Sequence, residues 1–395
     1  MIILALMKFA QRTDWPSVSN PLSVELAVQR RGKTEILDLT LTNPTQCGFR
    51  YYNASLLEPL KDPRNLTYEP DPHGLAAGRR AVADYYARRG LHITPDQIFL
   101  TAGTSEAYSF VLRLITAAGD IVAAPKPGYP LLDYLIQLHD LQAERYALDP
   151  AADWQMDLQS LYGERDDPRA VLIVNPGNPA GNFLKEKELA ELCMLAKTRG
   201  SVLISDEVFF DFTPSEAPAA ERVSAASQST VLTFTLSGIS KTLGLPQMKL
   251  SWIVVTGPDE ARREACRRLE IIADTFLSAN TPAQNALEAW FAKEHEIQSE
   301  INARLRTNLA AARQVLGSKG AVRLHEPAGG WSAVLEVHND KHDEELALQL
   351  LRKDQVLVHP GFLFDFDQGV FLVISLLAPP DIFKEGVRRI AARFK

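Results

Sequence analysis

Between residues 97 and 255 the chain repeats one theme: a short apolar run, a turn rich in Gly, Pro or Asn, then an amphipathic stretch. The runs are Ile98–Thr101, Ile121–Ala124, Val171–Val174, Val202–Ser205, Val231–Thr235 and Trp252–Val255. They are nearly continuous in Val, Ile and Leu, as strands buried on both faces should be, and strands that alternate with amphipathic segments are joined by crossover helices. The pattern predicts a largely parallel sheet. Tyr108, Val111, Leu112 and Ile115 recur at i, i+3, i+4 and i+7 and stop before Gly119, while Leu184 to Arg199 is helical in pattern and stops at Gly200. These read as the covering helices.

From about Pro282 a long charged helical stretch leads into a second pattern, with strands at Ala321–Leu324, Ser332–Val337 and Phe371–Leu376 and helices near Asp343–Lys353 and Pro380–Phe394. The first forty or so residues lack a convincing core of their own and are expected to pack on this part or to line the cleft. The fold class is therefore α/β: a mostly parallel central sheet with flanking helices, plus a smaller α+β domain. The expected division is an N-terminal segment over 1–45, a large domain over 46–280 and a small domain over 281–395. A chain of 395 residues, 46% hydrophobic and 23% charged, is too long and too apolar for a disordered segment or a lone binding module.

A net charge of −7 offers no basic field for a polyanion, so nucleic acid and anionic membrane are poor partners and a small-molecule ligand is favoured. Cys47, Cys193 and Cys266 are far apart, without CxxC or Cys/His spacing, which indicates neither a disulfide framework nor a zinc site and fits a reducing cytoplasm. Met1–Met7 is apolar but lacks a basic region before it, and Lys8 interrupts it, so it does not read as a signal peptide. No later apolar run approaches the roughly 20 residues needed to span a bilayer. The stretch His338–His342 superficially offers metal ligands, but it includes Lys341 and has no second ligand cluster; it reads as a solvated turn.

In an open α/β sheet, ligands bind beyond the carboxyl ends of the strands. Five loops stand there. After Ile98–Thr101 comes Ala102-Gly103-Thr104-Ser105-Glu106, a turn opening a helix, whose free N–H groups suit an anionic phosphate; a plain N-cap box explains it equally well. Next come Pro127-Gly128-Tyr129-Pro130, which sets an aromatic ring on a rigid turn, and Asn175-Pro176-Gly177-Asn178-Pro179-Ala180-Gly181, too rich in turn residues for a simple connection. Asp206-Glu207-Val208-Phe209 follows the fourth run, its carboxylate being either a cap or an acceptor for a cationic group. Ser237-Gly238-Ile239-Ser240-Lys241-Thr242-Leu243-Gly244 follows the fifth. Singly, the Tyr, Asp and Lys read as a core ring, a cap and a surface residue. Together, an anion cradle, a flat aromatic, an Asn, an Asp and a Lys are the groups that hold a phosphorylated aromatic aldehyde.

The segments Asn175–Gly181, Ser205–Phe209 and Ser240–Leu250 resemble the signature loops of the class I/II aminotransferases, the large pyridoxal-phosphate family of fold type I. The spacing agrees: 28 residues from Asn178 to Asp206, 35 to Lys241 and eight more to Lys249. The likeness runs over most of the chain, including Thr67-Tyr68, His359-Pro360-Gly361-Phe362 and Glu385-Gly386-Val387-Arg388-Arg389. It implies pyridoxal phosphate as cofactor, a small amine or amino-acid substrate, an oxo acceptor and a homodimer. By the same resemblance Lys241 would bind the cofactor covalently and, once displaced, move the proton. Asp206 would pair with the ring nitrogen, Asn178 would donate to the 3-oxygen, and Tyr129 would stack on the ring. Gly103, Thr104, Ser105, Ser240 and Lys249 would surround the phosphate, with Tyr68 reaching it from the other subunit. Decarboxylase, β-lyase or racemase-type chemistry on the same scaffold, and a non-catalytic cofactor-binding paralogue, are the alternatives.

Departures from the family pattern matter as much. Phe209 stands where a Tyr is usual, so one hydrogen bond to the 3-oxygen is missing. Lys249 replaces a common phosphate-binding Arg, and Gly238 stands where a hydroxyl residue is often found. Thr42 replaces the usual Gly in Thr40-Leu41-Thr42-Asn43-Pro44. In Phe371-Leu372-Val373-Ile374-Ser375-Leu376, Val373 falls where the family carries the Arg that clamps the substrate's α-carboxylate; either the register slips and another Arg serves, or, the favoured reading, the substrate is not an ordinary amino acid held in the ordinary way.

Overall fold

The computed structural model describes all residues except 1–7, 16–19, 162–166, 216–221, 318–319, 367 and 395; the Met1–Met7 reading thus lies outside the described residues. Along the chain the strands are β1 (Leu37–Asp38), β2 (Ile98–Thr101), β3 (Ile121–Lys126), β4 (Gln142–Asp149), β5 (Gln155–Met156), β6 (Ala170–Val174) and β7 (Val202–Asp206). They continue as β8 (Thr233–Gly238), β9 (Ser251–Thr256), β10 (Val322–His325), β11 (Ser332–Val337), β12 (Val356–Leu357), β13 (His359–Pro360) and β14 (Phe371–Ser375). Among the described residues they form an eight-stranded sheet in the order β2-β9-β8-β7-β6-β3-β4-β5, a four-stranded sheet β10-β11-β14-β13 and the pair β1-β12.

Each of the six predicted runs is a strand of the large sheet. Strands β4, β3, β6, β7 and β8 are parallel, while β9 is antiparallel to both β8 and β2. The exception has a local cause. Between β8 and β9 stand the four-residue helix Ile239–Thr242 and the single 3-10 turn Pro246–Met248, too short to carry the chain back across the sheet as a parallel connection requires. Strand β4 was not in the predicted set: near the edge of the sheet it exposes Gln142 and Ala143 and keeps charged Glu144 and Arg145 half-buried, so it lacks a continuous apolar run.

Side-chain alternation sends Phe99, Ile204, Phe234, Leu236 and Ile253 to one face, beneath the helices Thr104–Ile115 and Asp259–Phe276. Leu100, Trp252 and Val254 go to the other face, where they meet residues of the helices Ala76–Ala87, Thr281–Phe291 and Glu294–Leu316. The long charged stretch after Pro282 is thus two helices rather than one. The helix Glu186–Arg199 ends at Gly200 with φ +72°, a left-handed cap that glycine adopts at little cost.

The smaller sheet is antiparallel and carries the helices Asp343–Gln349 and Pro380–Arg393. The N-terminal segment packs on this part of the chain. β1 pairs in parallel with β12, Leu39 is fully buried beside Gly386, and Glu25 on the helix Pro21–Arg31 pairs with Arg352 at 2.7 Å. In β14, Leu372 and Ile374 enter the core against the helices, whereas Phe371 and Val373 face the apolar cluster that reaches the large sheet through Tyr146, Ile173 and Leu184. His338 to His342 is exposed and precedes a helix.

Candidate functional site

Asp206 ends β7. Ile204 lies under the helix Thr104–Ile115, and two residues on Asp206 projects to the same face, 7% exposed. Burial pushes its carboxyl up to about 6, against the Val208 N–H at 3.2 Å, the Tyr108 hydroxyl and the Lys241 ammonium, all of which favour the charged form. Tyr108 is itself buried, and its hydroxyl closes no well-aligned hydrogen bond among the described residues. Desolvation thus leaves this carboxyl less acidic than an exposed one, and a cation opposite it would be favoured.

Lys241 sits in the helix Ile239–Thr242 that follows β8. Burial lowers its pKa and Asp206 partly restores it. Its Nζ lies 5.1 Å from the centre of the Trp331 ring and 5.5 Å from that of Phe209, two rings that meet edge-on at 5.2 Å. Such a wall attracts the ammonium through the rings' quadrupoles but excludes the water that would stabilise it fully. Beyond Lys241 the loop is clamped. Tyr52 donates to the Gly244 carbonyl, and Gly244 has φ +58° with the Tyr51 hydroxyl only 2.2 Å from where a Cβ would stand, so only glycine fits.

At the start of the helix Thr104–Ile115, the N–H groups of Glu106 and Ala107 bond to the Gly103 carbonyl, leaving those of Thr104 and Ser105 without an acceptor inside the helix. The Lys249 ammonium stands 3.4 Å from the position a Cβ on Gly103 would take. Lys249 itself is in the left-handed region, φ +52°, its carbonyl accepting from Asn280 Nδ2 at 3.3 Å. Free N–H groups, a helix N-terminus and an ammonium on one spot form an anion cup.

Tyr129 is half-buried and close enough to Asp206 for that charge to raise its pKa further, after burial. Asn178 is half-buried in the loop after β6, whose start is tied to β7 by the Asn175 N–H on the Asp206 carbonyl at 2.8 Å. The loop's end meets the smaller sheet's approach: Gly181 has φ +76°, with Gly329 N–H on its carbonyl at 2.7 Å and Pro327 Cβ only 2.4 Å from where its own Cβ would be. The structure therefore gathers Asp206, Lys241, Phe209 and Tyr129 on one side and Gly103 with Lys249 on the other, with Ser240 next to Lys241. Tyr68 is 70% exposed in the single chain. Trp331 and Tyr108 were not singled out from the sequence. Gly330 before Trp331 has φ +85°, a turn that glycine favours and a usable signal that the chain bends there; Tyr108 reads only as a core position of its helix.

The family model for aminotransferase class I and II matches residues 53–383. Glutamate-pyruvate aminotransferase AlaA of Escherichia coli K12 is 25% identical over 357 residues, covering 88% of each chain. Alanine aminotransferase of Mycobacterium bovis is 26% identical over 345 residues, 84% of this chain and 79% of that one. Among solved structures, the alanine aminotransferase of Pyrococcus furiosus superposes with a TM-score of 0.88 at 23% identity, over 98% of this chain and 99% of that one. The aspartate aminotransferase of Thermotoga maritima gives 0.83 at 21% identity, with the same coverage. These two likenesses are likenesses of fold.

Proposed function

The chain belongs to the class I and II aminotransferases and is a pyridoxal-phosphate-dependent transferase, and from that premise we propose that its cofactor is held at the carboxyl ends of β2, β6, β7 and β8 with Lys241 as its covalent anchor. The residues present fit such a group. Asp206 is a desolvated acid with no cation fully matched to it, Lys241 is a desolvated amine, and the cup at Gly103 and Lys249 has unmatched donors for a phosphate. When bound, pyridoxal phosphate supplies an aldehyde that accepts an amino group and a protonated ring that takes up electrons released at the substrate's α-carbon.

The chain's own groups do the rest. Gly103, Thr104, Ser105, Ser240 and Lys249 would hold the phosphate, Tyr129 and Phe209 would supply apolar surface for the ring, and Asn178 would donate to its 3-oxygen. Asp206 accepts from the ring nitrogen. Lys241 Nζ would be the group that moves the proton at the substrate's α-carbon; burial lowers its pKa, which favours the neutral amine that such a base requires. Tyr68, exposed in the single chain, reaches the phosphate of a second copy in a homodimer. The donor is an amine or amino acid and the acceptor an oxo compound. The named relatives act on alanine, glutamate and pyruvate, whereas the buried Val373 supplies no carboxylate clamp here. Free Cys47, Cys193 and Cys266 are in keeping with a reducing cytoplasm, and no helix among the described residues is long and apolar enough to cross a membrane.

The observation that carries this reading is Lys241, desolvated, facing Asp206 and walled by Phe209 and Trp331. Borohydride reduction of the cofactor-loaded protein should leave the label on Lys241 in peptide mass spectra. Recovery of the label on another lysine, or no chromophore after saturation with pyridoxal phosphate, overturns it.

A further inference from the structure

We propose that the hydroxyl of Ser251, delivered from the neighbouring strand, binds the cofactor phosphate in place of the side chain that Gly238 lacks. The inference rests on the cofactor placement proposed above. Thr101, Ser251 and Gly238 are direct partners across the antiparallel ladders β2-β9-β8, and direct partners present their side chains on one face. Alternation from Phe99, Ile253 and Leu236 puts that row on the face under the helix Thr104–Ile115, the same face as Asp206.

Within the row, Ser251 Oγ lies 2.1 Å from the position a Cβ on Gly238 would take, and Ser251 Cβ lies 2.8 Å from it. The hydroxyl therefore fills the space in which a side chain at 238 would begin. Gly238 has φ 178°, an extended conformation open to any residue, so what keeps it a glycine is this occupant and not the backbone. Of the two hydroxyls in the row, Thr101 Oγ1 is engaged by the Gly103 carbonyl at 3.2 Å. Ser251 is 1% exposed, with its hydroxyl turned into the space beside Gly238. An anion in the neighbouring cup would offer that O–H an acceptor. Ser251 also follows Lys249 by two residues, and the Lys249 ammonium already points at Gly103. An O–H donated to a phosphate is charge-assisted and so among the stronger neutral-donor contacts.

The test is the dissociation constant for pyridoxal phosphate, read by titrating the cofactor back into the stripped full-length chain, for wild type and the Ser251→Ala, Gly238→Ser and Gly238→Ser/Ser251→Gly variants. Ser251→Ala should weaken binding by about tenfold or more. Gly238→Ser alone forces two side chains into one space and should lower both affinity and the thermal midpoint. The double variant moves the hydroxyl to residue 238 and removes the overlap, and should return affinity to within about threefold of wild type. Wild-type affinity in Ser251→Ala, or a double variant that binds no tighter than Ser251→Ala, overturns the proposal. If Gly238→Ser does not fold, Ser251→Ala still decides it: a lower midpoint with unchanged affinity marks a purely structural hydroxyl and sinks the idea. Borohydride labelling of each variant separates the two readings. Label lost from Lys241 in wild type refutes the cofactor placement, whereas label retained with unchanged affinity refutes Ser251 alone.

Discussion

The Asp206 carboxyl is pushed up to about 6 because burial outweighs the Val208 N–H, the Tyr108 hydroxyl and the Lys241 ammonium together. A cation placed opposite it, such as a protonated ring nitrogen, would favour the ionised form. An acid whose pKa rises on folding stabilises the fold fully below its unfolded value, near 4, and that contribution is lost as the pH climbs through about 6. The cofactor-free Asp206→Asn variant should accordingly show a flatter fall of denaturation midpoint from about pH 4 to about pH 6 than the parent chain. In the loaded enzyme the same change removes an interaction that strengthens as charge develops on the ring. Turnover should drop by roughly 10²-fold or more while cofactor is retained. Stopped-flow rates near those of the parent would mean that the ring nitrogen is not engaged by Asp206.

One step beyond Asp206, Glu207 turns to the opposite face and joins the ends of two strands. It is 3% exposed. Its Oε1 accepts from Asn175 Nδ2 at 3.3 Å, Ser205 Oγ at 3.1 Å and Ala225 N–H at 2.8 Å, and its Oε2 from Ser224 Oγ at 2.6 Å. Burial still pushes it up to about 7. Asn175 in turn donates to the Val223 carbonyl at 2.9 Å and accepts the Leu184 N–H at 3.0 Å, so this knot fixes both ends of the loop that carries Asn178. Because three of the four donors meet Oε1 and the Ser224 hydroxyl can turn to accept, Glu207→Gln should keep stability within about 1 kcal/mol. Glu207→Ala leaves several buried donors unmatched, at about 1–3 kcal/mol each, and should unfold at markedly lower urea and hold the cofactor more weakly. Equal midpoints for the Gln and Ala variants would show that the knot does not hold the loop.

At the scale of the whole molecule, an apolar cluster joins the large sheet to the strands of the smaller one. Val373 is 1% exposed, paired with Val334 on one side and His359 on the other, on the face turned toward the large sheet. Nothing at that position can clamp a carboxylate, and a buried carboxylate without a charged partner carries a desolvation cost of roughly several kcal/mol. Aspartate, alanine and glutamate should therefore be poor donors, below the roughly 10⁴ M⁻¹s⁻¹ in kcat/KM of an ordinary enzyme. Val373→Arg should raise or leave unchanged the rates with these donors and harm the preferred one. A donor panel on the unmodified chain decides the matter, since efficient turnover of any of the three would mean that another group holds the carboxylate.

Much of this was readable along the chain because it is local. Buried runs, the turns that end them and glycine at helix ends are fixed by side-chain chemistry within a few residues, so β2, β3, β6 and β7 and the loops holding Gly103, Tyr129, Asn178, Asp206 and Lys241 could be found in order. Strand β4 could not, since a strand next to the sheet's edge whose first four side chains are exposed or half-buried has no apolar run to betray it. Nor could the direction of β9 be read from its own residues, because direction depends on how short a connection precedes it. Ser251 and Gly238 compete for one space only because two strands pair in one register, and Trp331 reaches Lys241 only because a distant strand lies across the cleft. The near-neutral poise of Asp206 and Glu207 belongs to neither residue type: desolvation is set by everything packed around a group, and only the assembled fold decides which buried charges are matched and which await a ligand.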